Sequence, residues 1–443
     1  MGQSSSRGAG EDRWSDSSHH LEVASGALRP QYDQNTSLRR PSQLSVGPTL
    51  PLELWDDVID YFGEPVDRPT LLSCALVCRA WLPRSRRHLF RTVYVRTSRQ
   101  LRRLSRALDK SQDICPLVRE FTVCPDEEAA EMLSRGLDLL SRLPCVIDFA
   151  ITPSLLCPNV SLTSPKRGTA PPVVTWPSRR GSQIRSVEVR VTMQIYTLNR
   201  QLKAYDSVTS LTLSLITFLD FSDLARMLCE LPNLLYLYCG DVQWVTSGYN
   251  PLGLEQHRDV VLKKLISLGV SSNVFLKSGL KFVLGAAGTS LRRFMFAVIP
   301  KESTEPLVAQ NLDLGRFLYL ESVELGCWIH HPEWDFAWIP TALESISSGE
   351  LVRITLKYPL YSSSLSRQDV LDRMLCHRME EVLSDQRFAK VQEVIFQFED
   401  VVDHEQWWIS QLATRLPSLY SRNIVRLRLR THNSRSLWRE GLP

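Results

Sequence analysis

From residue 208 onward, one pattern recurs with a near-constant step. Short segments of alternating apolar residues begin at 208, 234, 264, 292, 320, 351, 391 and 424: V-T-S-L-T-L, L-L-Y-L-Y, K-L-I-S-L, R-R-F-M-F, L-E-S-V-E-L, L-V-R-I-T-L, V-Q-E-V-I-F and I-V-R-L-R-L. Alternation at a period of two marks a strand with one covered face. Between the strands lie amphipathic stretches at 222–231, 276–286, 311–318, 333–346, 368–383 and 405–416, with Ser222 and Ser366 as helix caps. A strand followed by one helix leaves a face open. Stacking such units in chain order buries that face and lays the strands in one parallel sheet. The pattern sets in after Ile184.

Upstream, the same alternation predicts strands at 91–95, 118–123 and 146–151. Ser98 caps a helix carrying Leu101, Leu104 and Leu108, and Asp126, Glu127 and Glu128 open another with acidic charge at its positive end. The stretch 153–183 contains six prolines and little periodicity, so it reads as a long loop. The first 49 residues are rich in Ser, Gly, Arg and Gln and poor in aliphatics, too little to offset chain entropy, and read as a disordered tail.

The segment 50–90 breaks the repeat. It reads L-P-L-E-L-W-D-D-V-I-D-Y-F, then a loop, then T-L-L-S-C-A-L-V-C-R-A-W-L and R-R-H-L-F. Pro51 sits at a helix start, where no backbone N–H is needed. Leu52, Trp55, Ile59 and Phe62 form one helical stripe, and Leu54, Val58 and Tyr61 form a second beside it. Leu71, Leu72, Ala75, Leu76, Val77 and Cys78 repeat the excess. About forty residues is the lower limit for burying enough surface alone, so part of this apolar face is expected to meet another protein.

These residues resemble an F-box: L-P-L-E-L at 50–54, L-V-C-R-A-W at 76–81 and H-L-F at 88–90, in order and at fitting separations. The loop at 63–69 is longer than the usual turn of that family, and Pro83 restarts the third helix. The strand-plus-helix period near thirty resembles a leucine-rich-repeat solenoid. P-N-L at 232–234 and S-L-R-R-F at 290–294 are similar to its helix-to-strand junctions, while the L-x-x-L-x-L-x-x-N consensus and its asparagine ladder are absent. The expected fold class is therefore α/β: a small three-helix F-box followed by an irregular leucine-rich-repeat-like solenoid with parallel strands on the concave face. The expected divisions are 1–49 tail, 50–90 F-box, 91–152 first strand-helix units, 153–183 Pro-rich loop, 184–432 solenoid and 433–443 C-terminal tail. A doubly wound α/β domain is the competing architecture, and it lacks the expected glycine-rich phosphate loop.

Chemistry-bearing motifs are sparse. The net charge of +4 over 443 residues is too small to argue for nucleic acid. G-A-A-G-T-S at 285–290 lacks the lysine and spacing of a phosphate loop and reads as a helix C-cap. His330, His331, Glu333 and Asp335 lack helical i, i+4 ligand spacing, so no metal is expected. Trp328, Trp334, Trp338, Trp407 and Trp408 read as core or repeat-edge packing, with any exposed one an anchor for a partner. Ten cysteines show no C-x-x-C, and Cys74 and Cys78 read as small core residues on one helical face. With no secretory signal and no membrane-spanning apolar run, the expected setting is cytoplasmic or nuclear. M-G-Q-S-S-S at the start fits N-myristoylation of Gly2. One acyl chain needs a second membrane signal; the stretch 79–106, with ten arginines and no acidic residue, is the candidate for it, but reads first as a solvated face.

What the resemblance implies is a substrate-recognition subunit of a cullin–RING ubiquitin ligase. It would dock a Skp-type adaptor, and through it a cullin, by Leu50, Pro51, Leu52, Ile59, Leu76, Val77 and Cys78. The repeats would hold a target protein. Such a chain is no enzyme and needs no cofactor; it acts through effective concentration. Two other readings stay open: a repeat scaffold that does not promote ubiquitin transfer, attached to a membrane through Gly2, and an enzyme with a hidden site.

Overall fold

In the computed structural model, the residues described are 51–62, 68–124, 129–152, 183–195, 207–218, 220–245, 262–271, 279–298, 308, 311–327, 336–358, 366–400 and 402–430. All those from Glu53 onward belong to one compact unit. Gly2, Leu50, the acidic helix opening at 126–128, the Pro-rich segment from 153 to 182, the histidines at 330 and 331, and the tail from 431 lie outside the described residues.

Three helices come first: α1 (Leu52–Tyr61), α2 (Arg68–Val77) and α3 (Leu82–Arg91). Pro83 sits in the first turn of α3, where its missing N–H costs nothing. The three share a small core of Ile59, Leu71 and Leu89, with Phe62, Ala75, Trp81 and Phe90 packed around it. Trp55 and Trp81 rings meet at 4.7 Å. Phe90 also touches the large core beyond, and α3 runs directly into β1 (Thr92–Val95). Cys78 lies past the end of α2 and is exposed. It is not the core residue its spacing from Cys74 suggested.

The rest of the described chain is a mixed α/β body built on a 13-stranded sheet that is not closed into a barrel. After β1 come α4 (Ser98–Lys110), β2 (Glu120–Val123), α5 (Ala129–Arg142), β3 (Asp148–Ile151), β4 (Ser186–Ile195), β5 (Ser210–Phe218), α6 (Phe221–Cys229), β6 (Tyr236–Gly240), β7 (Gln243–Trp244) and β8 (Ser267–Ser271). Then follow α7 (Leu280–Ala286), β9 (Arg293–Val298), β10 (Ser322–Cys327), α8 (Trp338–Ser345), β11 (Arg353–Tyr358), α9 (Arg367–Arg373), α10 (Cys376–Leu383), β12 (Glu393–Phe398), α11 (Glu405–Arg415), α12 (Pro417–Ser421) and β13 (Val425–Leu429). Strands pair in chain order, with only the two-residue β7 set aside against β5, and every pairing is parallel. Neighbours in sequence that are neighbours in a parallel sheet carry their crossovers over one face.

That face is where the core sits. Phe294, Val323, Ile354 and Val394 stand side by side in register, as do Phe296, Leu325, Leu356 and Phe396, all at most 2% exposed. Trp338 and Trp408 are buried there, as the tryptophan reading expected, and Trp408 stacks on Phe398 with centroids 3.7 Å apart. Between the pairs Arg190–Ser214 and Met193–Ile216 the register shifts, and Leu215 takes φ 60°. The irregularity turns the buried set of β5 from Leu211 and Leu213 to Ile216 and Phe218.

Several local expectations change. The cap of α4 is Thr97, accepting from the Gln100 N–H at 3.2 Å, and not Ser98. The cap of α6 is Asp220, not Ser222. Ser366 does cap α9, in a reciprocal capping box with Asp369. The stretch 368–383 is two helices, because Leu375 adopts φ 49° between them. The stretch 311–318 is helical only at Asn311; turns then bury Leu314, Phe317 and Leu320. Strand β4 had not been foreseen. G-A-A-G-T-S closes α7 as expected, with Gly288 at φ 63°. In place of an asparagine ladder, serine hydroxyls reach back to carbonyls of the preceding unit: Ser207 to Ile184 (2.7 Å), Ser290 to Leu265 (3.0 Å) and Ser348 to Leu320 (2.9 Å).

Candidate functional site

Two surfaces stand out, and the first is on the helical unit. Among its described residues, Ile59, Leu71 and Leu89 are sealed in its core, while Leu54, Val58, Tyr61, Leu72, Leu76, Val77 and Leu82 are exposed, Leu76 at 87% and Val77 at 62%. The two stripes of α1 therefore part company. The Ile59 stripe faces inward, and the Leu54–Val58–Tyr61 stripe faces out. Of the residues singled out for docking, Leu76, Val77, Cys78 and Pro51 are exposed. Leu52 opens α1, its side chain lying outside the described set. Ile59 is 0% exposed and packs inside the unit, so it holds α1 to α2 and α3 and does not present itself to a partner. Leu54, Val58, Tyr61 and Leu72 take that outward role, a part already legible in the second apolar stripe.

An ionic clasp fixes α1 against α3. Asp60 accepts from Arg84 Nε at 2.6 Å and from its Nη2, and His88 Nε2 lies 2.7 Å from Asp60 Oδ1. The Arg84 guanidinium holds the Asp60 carboxyl down at about 2. Further arginines of the 79–106 stretch are tied down by Asp113 (Arg86) and Glu120 (Arg91). Arg99, Arg102, Arg103 and Arg106 recur at helical spacing along the exposed side of α4, opposite buried Leu101 and Leu108.

The second surface is the face of the sheet turned away from the core. A groove of about 700 Å³ runs across it from Tyr238 on β6 to Arg428 and Arg430 at β13. Two rows of residues in register cross the sheet here: Met295, Glu324, Thr355, Ile395 and Arg426, then Ala297, Gly326, Lys357, Gln397 and Arg428. Of these, Met295, Glu324, Thr355, Ile395, Lys357, Gln397 and Arg428 line its floor. Lys357 Nζ reaches diagonally to Glu324 Oε1 at 2.5 Å. Burial pushes the Glu324 carboxyl up and the Lys357 ammonium down, while each partner opposes the shift of the other. Arg428 and Arg430 press Lys357 further down. Arg353 and Glu393 pair at 2.8 Å along the rim. At the other end the Tyr238 ring lies over two glycines. A Cβ on Gly269 would come within 2.5 Å of that ring, and one on Gly240 within 2.8 Å. Sequence reasoning had named none of these floor residues. Their one signal was alternation, as in the arginines of I-V-R-L-R-L.

Among the described residues, no group of three or more His, Cys, Asp or Glu side chains is placed to hold a metal ion. No helix among them is long and apolar enough to cross a membrane.

No family model matches the chain, and no curated protein does. Among solved structures, it is similar to a Bacteroides fragilis protein determined by a structural-genomics consortium. That likeness has 8% sequence identity and a TM-score of 0.34, and covers 77% of this chain and 74% of that one. A likeness this distant carries no argument about function.

Proposed function

We propose that the three-helix unit is an F-box that docks a Skp-type adaptor, and that the chain serves a cullin–RING ubiquitin ligase by holding a target protein on the open face of a leucine-rich-repeat-like sheet. One observation carries the reading. Among its described residues, the unit seals three apolar side chains in its core and displays seven large ones, led by Tyr61, Leu76 and Val77. Exposed apolar surface concentrated on so small a body is the mark of an interface. Leu54, Leu76 and Val77 of this surface belong to the L-P-L-E-L and L-V-C-R-A-W segments that resemble the F-box.

On this reading no bond is made or broken by the chain itself. Tethering a target beside a charged ubiquitin carrier turns transfer into a quasi-intramolecular step. The test is capture of purified Skp-type adaptor by the full chain. Capture that is lost with Leu76→Ser and Val77→Ser supports the docking assignment, and undiminished capture refutes it. A bound target whose cellular lifetime does not change when the chain is removed would make the protein a scaffold.

A further inference from the structure

Every charged side chain that lines the groove on the open face already has a partner. Glu321 meets Arg292, Glu324 meets Lys357 and Glu393 meets Arg353, while Arg293, Arg428 and Arg430 each make interactions of their own. Charge therefore selects no occupant at either end of the groove.

One uncharged lining residue is different. Gln397 on β12 is 5% exposed, and its buried Oε1 has no hydrogen-bond partner. Among the described side chains lining the groove, only Glu324 has a comparable buried oxygen, and that Oε1 has the Lys357 ammonium at 2.5 Å. A buried acceptor left open costs free energy unless a donor arrives. Gln397 stands in register between Lys357 on β11 and Arg428 on β13, so a cationic donor would stand beside two like charges. Glu399, just past β12, makes interactions of its own.

A peptide N–H is a neutral donor. The glutamine carboxamide has donors beside its acceptor, and in an extended chain the N–H and C=O of one residue point to the same side. One such side chain can therefore grip one residue of main chain at both groups. The terminal torsion of glutamine is soft, and no bond on Oε1 opposes its turning toward the groove. The groove has the length for an extended ligand. From β6 to β13 are six strand spacings, about 29 Å, which about nine extended residues cover.

We propose that Gln397 is a main-chain clamp for an extended peptide lying across the open face, its carboxamide accepting from the N–H and donating to the C=O of one peptide residue. This assignment rests on the reading of this face as the target-binding surface, and it makes the target an extended segment held by its backbone and not by its charge.

The experiment is selection of a random twelve-residue display library on the full chain, followed by synthesis of the tightest peptides with each backbone amide N-methylated in turn. These peptides are expected to bind Gln397→Leu, which keeps volume and removes both hydrogen-bonding groups, about tenfold more weakly than the native chain. At one position, methylation is expected to cost about tenfold on the native chain and nothing on Gln397→Leu. Melting curves confirm that the variant folds, and Gln397→Met serves the same comparison if leucine lowers the melting temperature. A library that yields no binder, peptides bound equally by both chains, or the same methylation pattern on both overturns the clamp. Adaptor capture is measured on the same preparations. Capture without the clamp signature sinks this assignment alone, whereas the signature without capture upholds it and sinks the ligase reading.

Discussion

Gly326 on β10 and Lys357 on β11 approach so closely that a Cβ on the glycine would lie 2.7 Å from the lysine Cβ and 2.9 Å from its carbonyl oxygen. The absent side chain is what lets Lys357 lie across β10 and reach Glu324. Gly326→Val is therefore expected to cost about 1–3 kcal/mol through overpacking against backbone. Urea unfolding checks this, and an unchanged midpoint would show that the strand shifts freely.

Asp60 sets a pH window. Its carboxyl is held at about 2, below the ordinary 3.8, so the clasp contributes stability that is full above 3.8 and lost as pH falls toward 2. Asp60→Asn should melt lower than the native chain at neutral pH, with the two converging between pH 4 and 2. Melting temperatures recorded across that range test it. Parallel curves would mean that the exposed pair contributes little.

Ile59 and Leu76 are expected to separate folding from docking. Ile59→Ala opens a cavity in a core of three sealed residues and should cost about 2–4 kcal/mol. Leu76→Ser, at a position 87% exposed, should stay within about 0.5 kcal/mol of the native chain. If the proposed docking holds, the serine variant alone lowers adaptor affinity at full stability, by about 1–3 kcal/mol for a hot-spot residue. Calorimetric binding and denaturation on the same samples read both quantities.

Asn423 takes φ 55° just before β13 and is exposed. Asparagine tolerates that conformation, and alanine pays the Cβ clash. Asn423→Ala should destabilise by about 1 kcal/mol and Asn423→Gly by less than about 0.5. Equal unfolding midpoints for the two would contradict the conformational account.

Much of the architecture could be read from spacing. The eight predicted strands from 208 onward all fall on observed strands, because an apolar residue at every second position has only one way to meet a common core. What spacing missed was local competition. Thr97 and Asp220 lie one and two residues before the caps expected, since several short polar side chains in a row all suit that role. At Leu375, a continuous apolar pattern concealed a left-handed residue that splits the helix in two.

The sequence by itself determined that this chain forms strand-helix units in series, preceded by a short helical segment with more apolar surface than it can bury. Only the tertiary structure decided which apolar stripe is spent inside. Ile59 turns inward against Leu71 and Leu89 while Leu54, Val58 and Tyr61 turn out, because two stripes on one helix are equivalent until other helices choose between them. The groove is tertiary for the same reason. Lys357, Gln397 and Arg428 are separated by tens of residues and become neighbours only through the register of adjacent parallel strands.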